Sequence, residues 1–154
     1  MGNKDKNTQY ILFVCGHNAG RSQMGQAFFN HDKANFPEVN SWYEAISVGT
    51  RPGESVNPQV ISVMEEIGIR MDDPKTYFPK GMDSKYIQDK AAGISRVIVA
   101  CDDTCLLPPQ VKAVPGRWNL PDPHGQPADT VRQVRELTRQ KVQDLLRELQ
   151  KNKL

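Results

Sequence analysis

No apolar stretch in this 154-residue chain approaches the roughly 20 residues that a membrane-spanning helix requires, so no membrane association is expected. The opening residues, MGNKDKNTQ, lack the apolar segment of a secretory signal. A polar N-terminal tail over residues 1–8 and a cytoplasmic location are therefore the expectations. Charge of one sign is also lacking: the formal net charge is only +2 with 25% charged residues, too even a balance to suggest a nucleic-acid partner. Cysteine is scarce. Three cysteines in a reducing compartment do not make a disulfide framework, and an odd count leaves one thiol over, which gives weight to reactive or metal-binding roles. No internal repeat or low-complexity tract is present, and the length suits one domain over residues 1–154, expected as a monomer.

What is present alternates between strand and helix patterns. The runs Tyr10 to Val14 and Val97 to Ala100 are almost continuously apolar, as in strands buried on both faces of a parallel sheet. Weaker strand patterns cover Trp42 to Val48 and the short stretch Arg117 to Leu120. Ser22 to about Asn35 predicts a helix with Met24, Ala27 and Phe28 on one face, closed by Phe36 and Pro37. A second helix begins with Asn57 as cap and Pro58 in the first turn, carries Val60, Ile61, Met64 and Ile67 at helical spacing, and stops at Gly68. A short helix is expected near Asp83 to Lys90, and a long amphipathic one from Thr130 onward, with Val131, Val134, Val142, Leu145 and Leu149 on its apolar stripe. This order predicts an α/β three-layer sandwich: a four-stranded parallel open sheet with helices on both faces.

Ligands of such sheets bind at the carboxyl ends of the strands. Cys15 ends the first strand and Cys101 follows the run from Val97, so parallel strands would put both thiols on one rim. After Cys15 the chain turns through Gly16, His17, Asn18, Ala19 and Gly20 into a helix that starts at Arg21 and Ser22. A loop between a strand and a helix N-terminus presents backbone N–H groups and the positive end of the helix dipole, which together bind anions. Arg21 can add a bidentate clamp on a tetrahedral oxyanion. The same groups, with the Ser22 hydroxyl, should favour a Cys15 thiolate, and comparable sites have thiol pKa values of roughly 3.5 to 7.5. Asn18 is expected to hold the loop through its side chain, since asparagine tolerates left-handed backbone.

The segment CGHNAGRSQM, from Cys15 to Met24, closely resembles the active-site loop of the low-molecular-weight tyrosine phosphatase superfamily, and its NAGRSQM portion is similar to the arsenate reductase branch. The likeness runs from about Tyr10 to Leu149. It includes SVGT at Ser47 to Thr50, VNP at Val56 to Pro58, MEEIGI at Met64 to Ile69 and WNLPDP at Trp118 to Pro123. The resemblance implies that Asp122, in the late Asp-Pro pair, is a general acid, and that no dissociable cofactor or metal is needed. It implies a relay: Cys15 attacks arsenate, Cys101 attacks the Cys15 sulfur and releases arsenite, and Cys105 frees Cys15 by bonding Cys101. The resulting disulfide would be reduced by thioredoxin or another thiol–disulfide reductant, and phosphate or sulfate would compete with arsenate for the loop.

Two departures from the family pattern stand out. Residue 20 is glycine where many of the phosphatases carry a second loop cysteine, and only three residues separate Cys101 from Cys105. Three functions stay open at this point: arsenate reduction, phosphoester hydrolysis through a phosphocysteine, and non-catalytic sensing of an oxyanion or of redox state. A zinc site using the three cysteines and a histidine is a further possibility, though Arg21 would repel the metal.

Overall fold

The computed structural model describes residues 7–101, 107 and 109–153. Cys105 and most of the N-terminal tail, residues 1–6, lie outside the described residues. Four parallel strands form one sheet: β1 (Gln9–Cys15), β2 (Tyr43–Gly49), β3 (Ile94–Val99) and β4 (Pro115–Arg117), in the order β2-β1-β3-β4. The first strand is therefore central. Its odd residues Ile11 and Phe13 face one core with α1 (Arg21–Asp32), α3 (Pro58–Glu65) and α5 (Ala128–Lys153), while Tyr10, Leu12 and Val14 face another with Ile87 and Ala91. The short helix α4 (Lys85–Gln88) covers that second face, so the three-layer arrangement matches the sequence pattern.

Because the chain leaves β1 toward β2 and later returns to β3 on the other side of β1, the carboxyl end of β1 is the point where strand order reverses. A crevice opens at such a point. The first crossover is held close by Gly25, where a Cβ would lie 2.6 Å from Cδ1 of Phe13, so only glycine lets α1 rest this tightly on the strand.

The predicted caps are realised on α3. The Asn57 side chain accepts from the Gln59 N–H at 2.9 Å, Pro58 occupies the first turn, and Gly68 ends the helix with φ +84° while the Ile69 N–H donates to the Met64 carbonyl. Two boundaries differ from the sequence pattern. Pro37 does not merely stop a helix but opens a new one, α2 (Pro37–Trp42), whose N-terminal N–H groups at Glu38 and Val39 donate to the Gln150 side chain of α5. The fourth strand lies earlier than Arg117 to Leu120, although pairing continues past it through the Trp118 and Leu120 N–H groups, which donate to the Val99 and Ala100 carbonyls.

Candidate active site

The loop after β1 is shaped from behind. Each carbonyl from Cys15 to Gly20 accepts a hydrogen bond: from the Thr50 N–H at 3.0 Å, Arg51 N–H at 2.7 Å, Gly53 N–H at 2.9 Å, the Gln23 amide at 2.9 Å, Asn57 N–H at 2.8 Å and Met24 N–H at 2.9 Å, in chain order. In a trans peptide the C=O and the next N–H point opposite ways, and no described peptide is cis. Anchoring the carbonyls outside therefore turns the N–H groups of residues 16–21 inward, toward the pocket. Inward N–H groups of this kind are what an anion cradle requires.

Asn18 anchors the turn as anticipated, with φ 53° and no solvent exposure. Its side-chain N–H donates to the Ser22 hydroxyl at 2.7 Å, and its carbonyl oxygen accepts from the Gln23 amide at 3.1 Å and from the Lys80 backbone at 3.1 Å. Gly49 closes the loop from the β2 side. A Cβ there would meet the Gly16 carbonyl at 2.6 Å and the Asn18 nitrogen at 2.9 Å, both backbone atoms that cannot rotate away. Gly49 sits in the SVGT segment, so the sequence marked its place without disclosing what it touches; Lys80 carried no signal at all.

A cleft of about 260 Å³ opens over this loop, lined by Cys15, Gly16, Arg21, Arg51, Asp122 and His124 among others. No phenylalanine, tyrosine or tryptophan is among its described lining residues. Arg21 is partly buried. One of its N–H groups donates to the Leu120 carbonyl at 2.9 Å, and its other terminal nitrogen lies 3.9 Å from the Asp122 carboxylate. Asp122 is largely exposed at the cleft mouth and accepts from the His124 N–H at 2.9 Å, so the Asp-Pro turn faces the arginine across the pocket. His17 and Ala19 line the cleft through the loop itself.

Cys15 lies at the base with Cys101 beside it, and the two thiols with Val99 form a small buried cluster, neither cysteine being in a disulfide. The ionisation of Cys15 differs from the sequence expectation. Burial pushes the thiol up to about 12, and the adjoining Cys101 adds to this, while Arg21 and the Gly16 N–H pull the other way without prevailing. Loop composition revealed the pulling groups but not the depth of the thiol or its sulfur neighbour. Burial thus favours the thiol over the thiolate.

Residues 10–154 match the low molecular weight phosphotyrosine protein phosphatase family. The chain belongs to that family. Among curated relatives, Arsenate reductase 1 of Bacillus cereus is 30% identical over 132 residues, covering 85% of this chain and 89% of the relative. Glutaredoxin arsenate reductase of Synechocystis is 27% identical, covering 88% and 95%. Among solved structures of the phosphatase family's fold, an arsenate reductase in its phosphate-binding state superposes with a TM-score of 0.70 at 28% identity, over 92% of this chain and 98% of the other. The thioredoxin-dependent arsenate reductase of Corynebacterium glutamicum gives a TM-score of 0.68 at 25% identity, over 96% of this chain and 64% of that longer one.

Proposed function

We propose that this protein is an arsenate reductase working as a single phosphatase-like domain, and the observation that carries the reading is the second thiol, Cys101, against the nucleophile Cys15. Hydrolysis of a phosphocysteine needs water and no further sulfur. Reduction needs two electrons, which a pair of thiols supplies on forming a disulfide. The absence of aromatic rings among the described cleft residues also favours a small inorganic oxyanion over an aryl ester. The relatives named arsenate reductases support the same substrate.

Arsenate enters as a dianion and is held by the inward N–H groups and the Arg21 guanidinium. The Cys15 proton passes to an arsenate oxygen, which makes the thiolate only when the anion is present to receive the proton. The sulfur then bonds arsenic as hydroxide leaves, protonated to water by Asp122. Cys101 attacks the Cys15 sulfur, its proton going to the departing group. The S–As bond breaks with its electron pair staying on arsenic, so arsenic(V) leaves as arsenite and Cys15–Cys101 becomes a disulfide. Cys105 next displaces Cys15 from Cys101, and an external dithiol of the thioredoxin or glutaredoxin class reduces the final disulfide.

The test is arsenate-dependent oxidation of reduced thioredoxin or glutaredoxin, run beside hydrolysis of an aryl phosphate. Arsenate-dependent turnover with at most weak hydrolysis is expected. Hydrolysis without arsenate-dependent thiol oxidation would assign the protein to phosphoester chemistry, and binding without either reaction would make it a sensor.

A further inference from the structure

We propose that Lys80 is a positioning residue of the anion loop: its buried ammonium pins the Asn18 side chain and places a fixed positive charge behind the cradle, and so sets oxyanion affinity. The proposal rests on the oxyanion reading of the loop given above.

Lysine is almost never fully buried without a partner anion. Lys80 is only 4% exposed, yet among the described residues no carboxylate lies within ion-pair distance of its nitrogen. The ammonium instead has three oxygens around it: the Phe78 carbonyl at 2.8 Å, the Asn18 side-chain carbonyl at 3.3 Å and the Ser47 hydroxyl at 3.5 Å. Three donors meet three acceptors. The rings of Phe78 and Tyr86 lie 4.6 Å and 4.9 Å away, so their π faces supply the rest of its surroundings. Burial draws the ammonium pKa down to about 8, which leaves the group mostly charged at neutral pH.

These contacts converge on the loop. Asn18 Oδ1 accepts from both the backbone and the ammonium of Lys80, and the Lys80 carbonyl accepts from the Gly49 N–H at 2.8 Å. On its far side the ammonium reaches Ser47, which donates to Gln26 of α1 at 2.6 Å. One side chain thus ties the left-handed residue of the cradle to β2 and α1 together. A loop fixed in this way pays less ordering entropy on capturing an anion. Among the described residues no carboxylate neutralises the positive charge, so its field remains available to an anion held by the loop.

The experiment measures inorganic phosphate affinity by calorimetry, with arsenate KM and kcat in parallel, for the parent protein, Lys80→Met and Lys80→Arg, each checked for folding by thermal melting. Lys80→Met should raise the phosphate Kd roughly ten- to a hundredfold, as expected for loss of a charge-assisted bond, with KM rising more than kcat falls. Lys80→Arg, which keeps charge and donors, should recover most of that loss. A merely structural lysine would lower the melting temperature and leave the Kd of the folded protein unchanged. A Kd in Lys80→Met within about twofold of the parent, or Lys80→Arg as weak as Lys80→Met, overturns the proposal. If Lys80→Met does not fold, Lys80→Gln takes its place under the same criteria. A parent protein that binds no phosphate at all sinks the oxyanion reading itself, which is a different result from a parent that binds and a variant that binds equally well.

Discussion

The Cys15 and Cys101 thiols lie side by side at the carboxyl ends of neighbouring parallel strands, at 4% and 2% exposure. β1 pairs with β3 up to Val14 and Val99, and the Ala100 N–H then donates to the Val14 carbonyl at 2.8 Å, so the register puts Cys15 abreast of Ala100 and next to Cys101, one residue further on. The proposed relay requires these two sulfurs to bond each other.

Replacing Cys101 with serine should therefore abolish multiple-turnover arsenate reduction while leaving phosphate affinity intact. A serine hydroxyl at this buried position should also cost about 1–3 kcal/mol of stability, measurable by denaturant unfolding. Arsenate-dependent thioredoxin or glutaredoxin oxidation at the parent rate in Cys101→Ser would remove the basis for the relay.

Cys15 makes a prediction about pH. Its folded-state pKa is raised from 9.0 to about 12, so the folded protein holds the proton more tightly than the unfolded chain. The associated stability is fully present below about pH 9 and is lost as pH rises toward about 12. The stability difference between the parent and Cys15→Ala should shrink across that window in unfolding titrations. Alkylation of Cys15 by iodoacetamide in anion-free protein should be slow at neutral pH and should become faster in Cys101→Ala, because a group that raises the pKa has gone.

Arg21→Lys keeps the charge but loses the planar fork that grips Leu120 and faces the cleft. Phosphate and arsenate affinity should fall by about tenfold or more, measured by calorimetry and by KM. Equal affinity in the lysine variant would mean that the guanidinium geometry contributes nothing.

Gly49→Ala tests the cradle without touching a charged group. The new methyl would press on the Gly16 carbonyl and the Asn18 nitrogen, and backbone on both sides leaves no cheap adjustment. The variant should lose about 1–3 kcal/mol of stability and bind phosphate more weakly than its residual folding explains. An alanine variant with parental melting temperature and phosphate affinity would show that the loop has room to move.

The sheet and its helices were largely legible because their signals are local. Apolar runs mark Tyr10 to Val14 and Val97 to Ala100, and the Asn57–Pro58 start with the Gly68 stop bounds α3. The helix α2 was not legible, since its first N–H groups are satisfied by Gln150, more than a hundred residues away. In the site, Asn18 was foreseen from its tolerance of left-handed backbone, and Arg21 from its place at a helix start. The high pKa of Cys15 was not, because desolvation depends on how deeply the strand end is buried and on which sulfur is packed beside it.

From Cys15 to Ser22 the residue types alone determined a strand, a turn and a helix start in succession, and from that backbone geometry the expectation of an anion loop with a nucleophile at its base. Only the tertiary structure decided what surrounds that loop. Lys80 reaches Asn18 across 62 positions, Gly49 closes from β2, and Cys101 arrives two residues past the end of β3, because the sheet order places β1 between β2 and β3. No spacing along a chain encodes such a meeting; it arises when parallel strands are packed edge to edge and their carboxyl ends are brought to one rim.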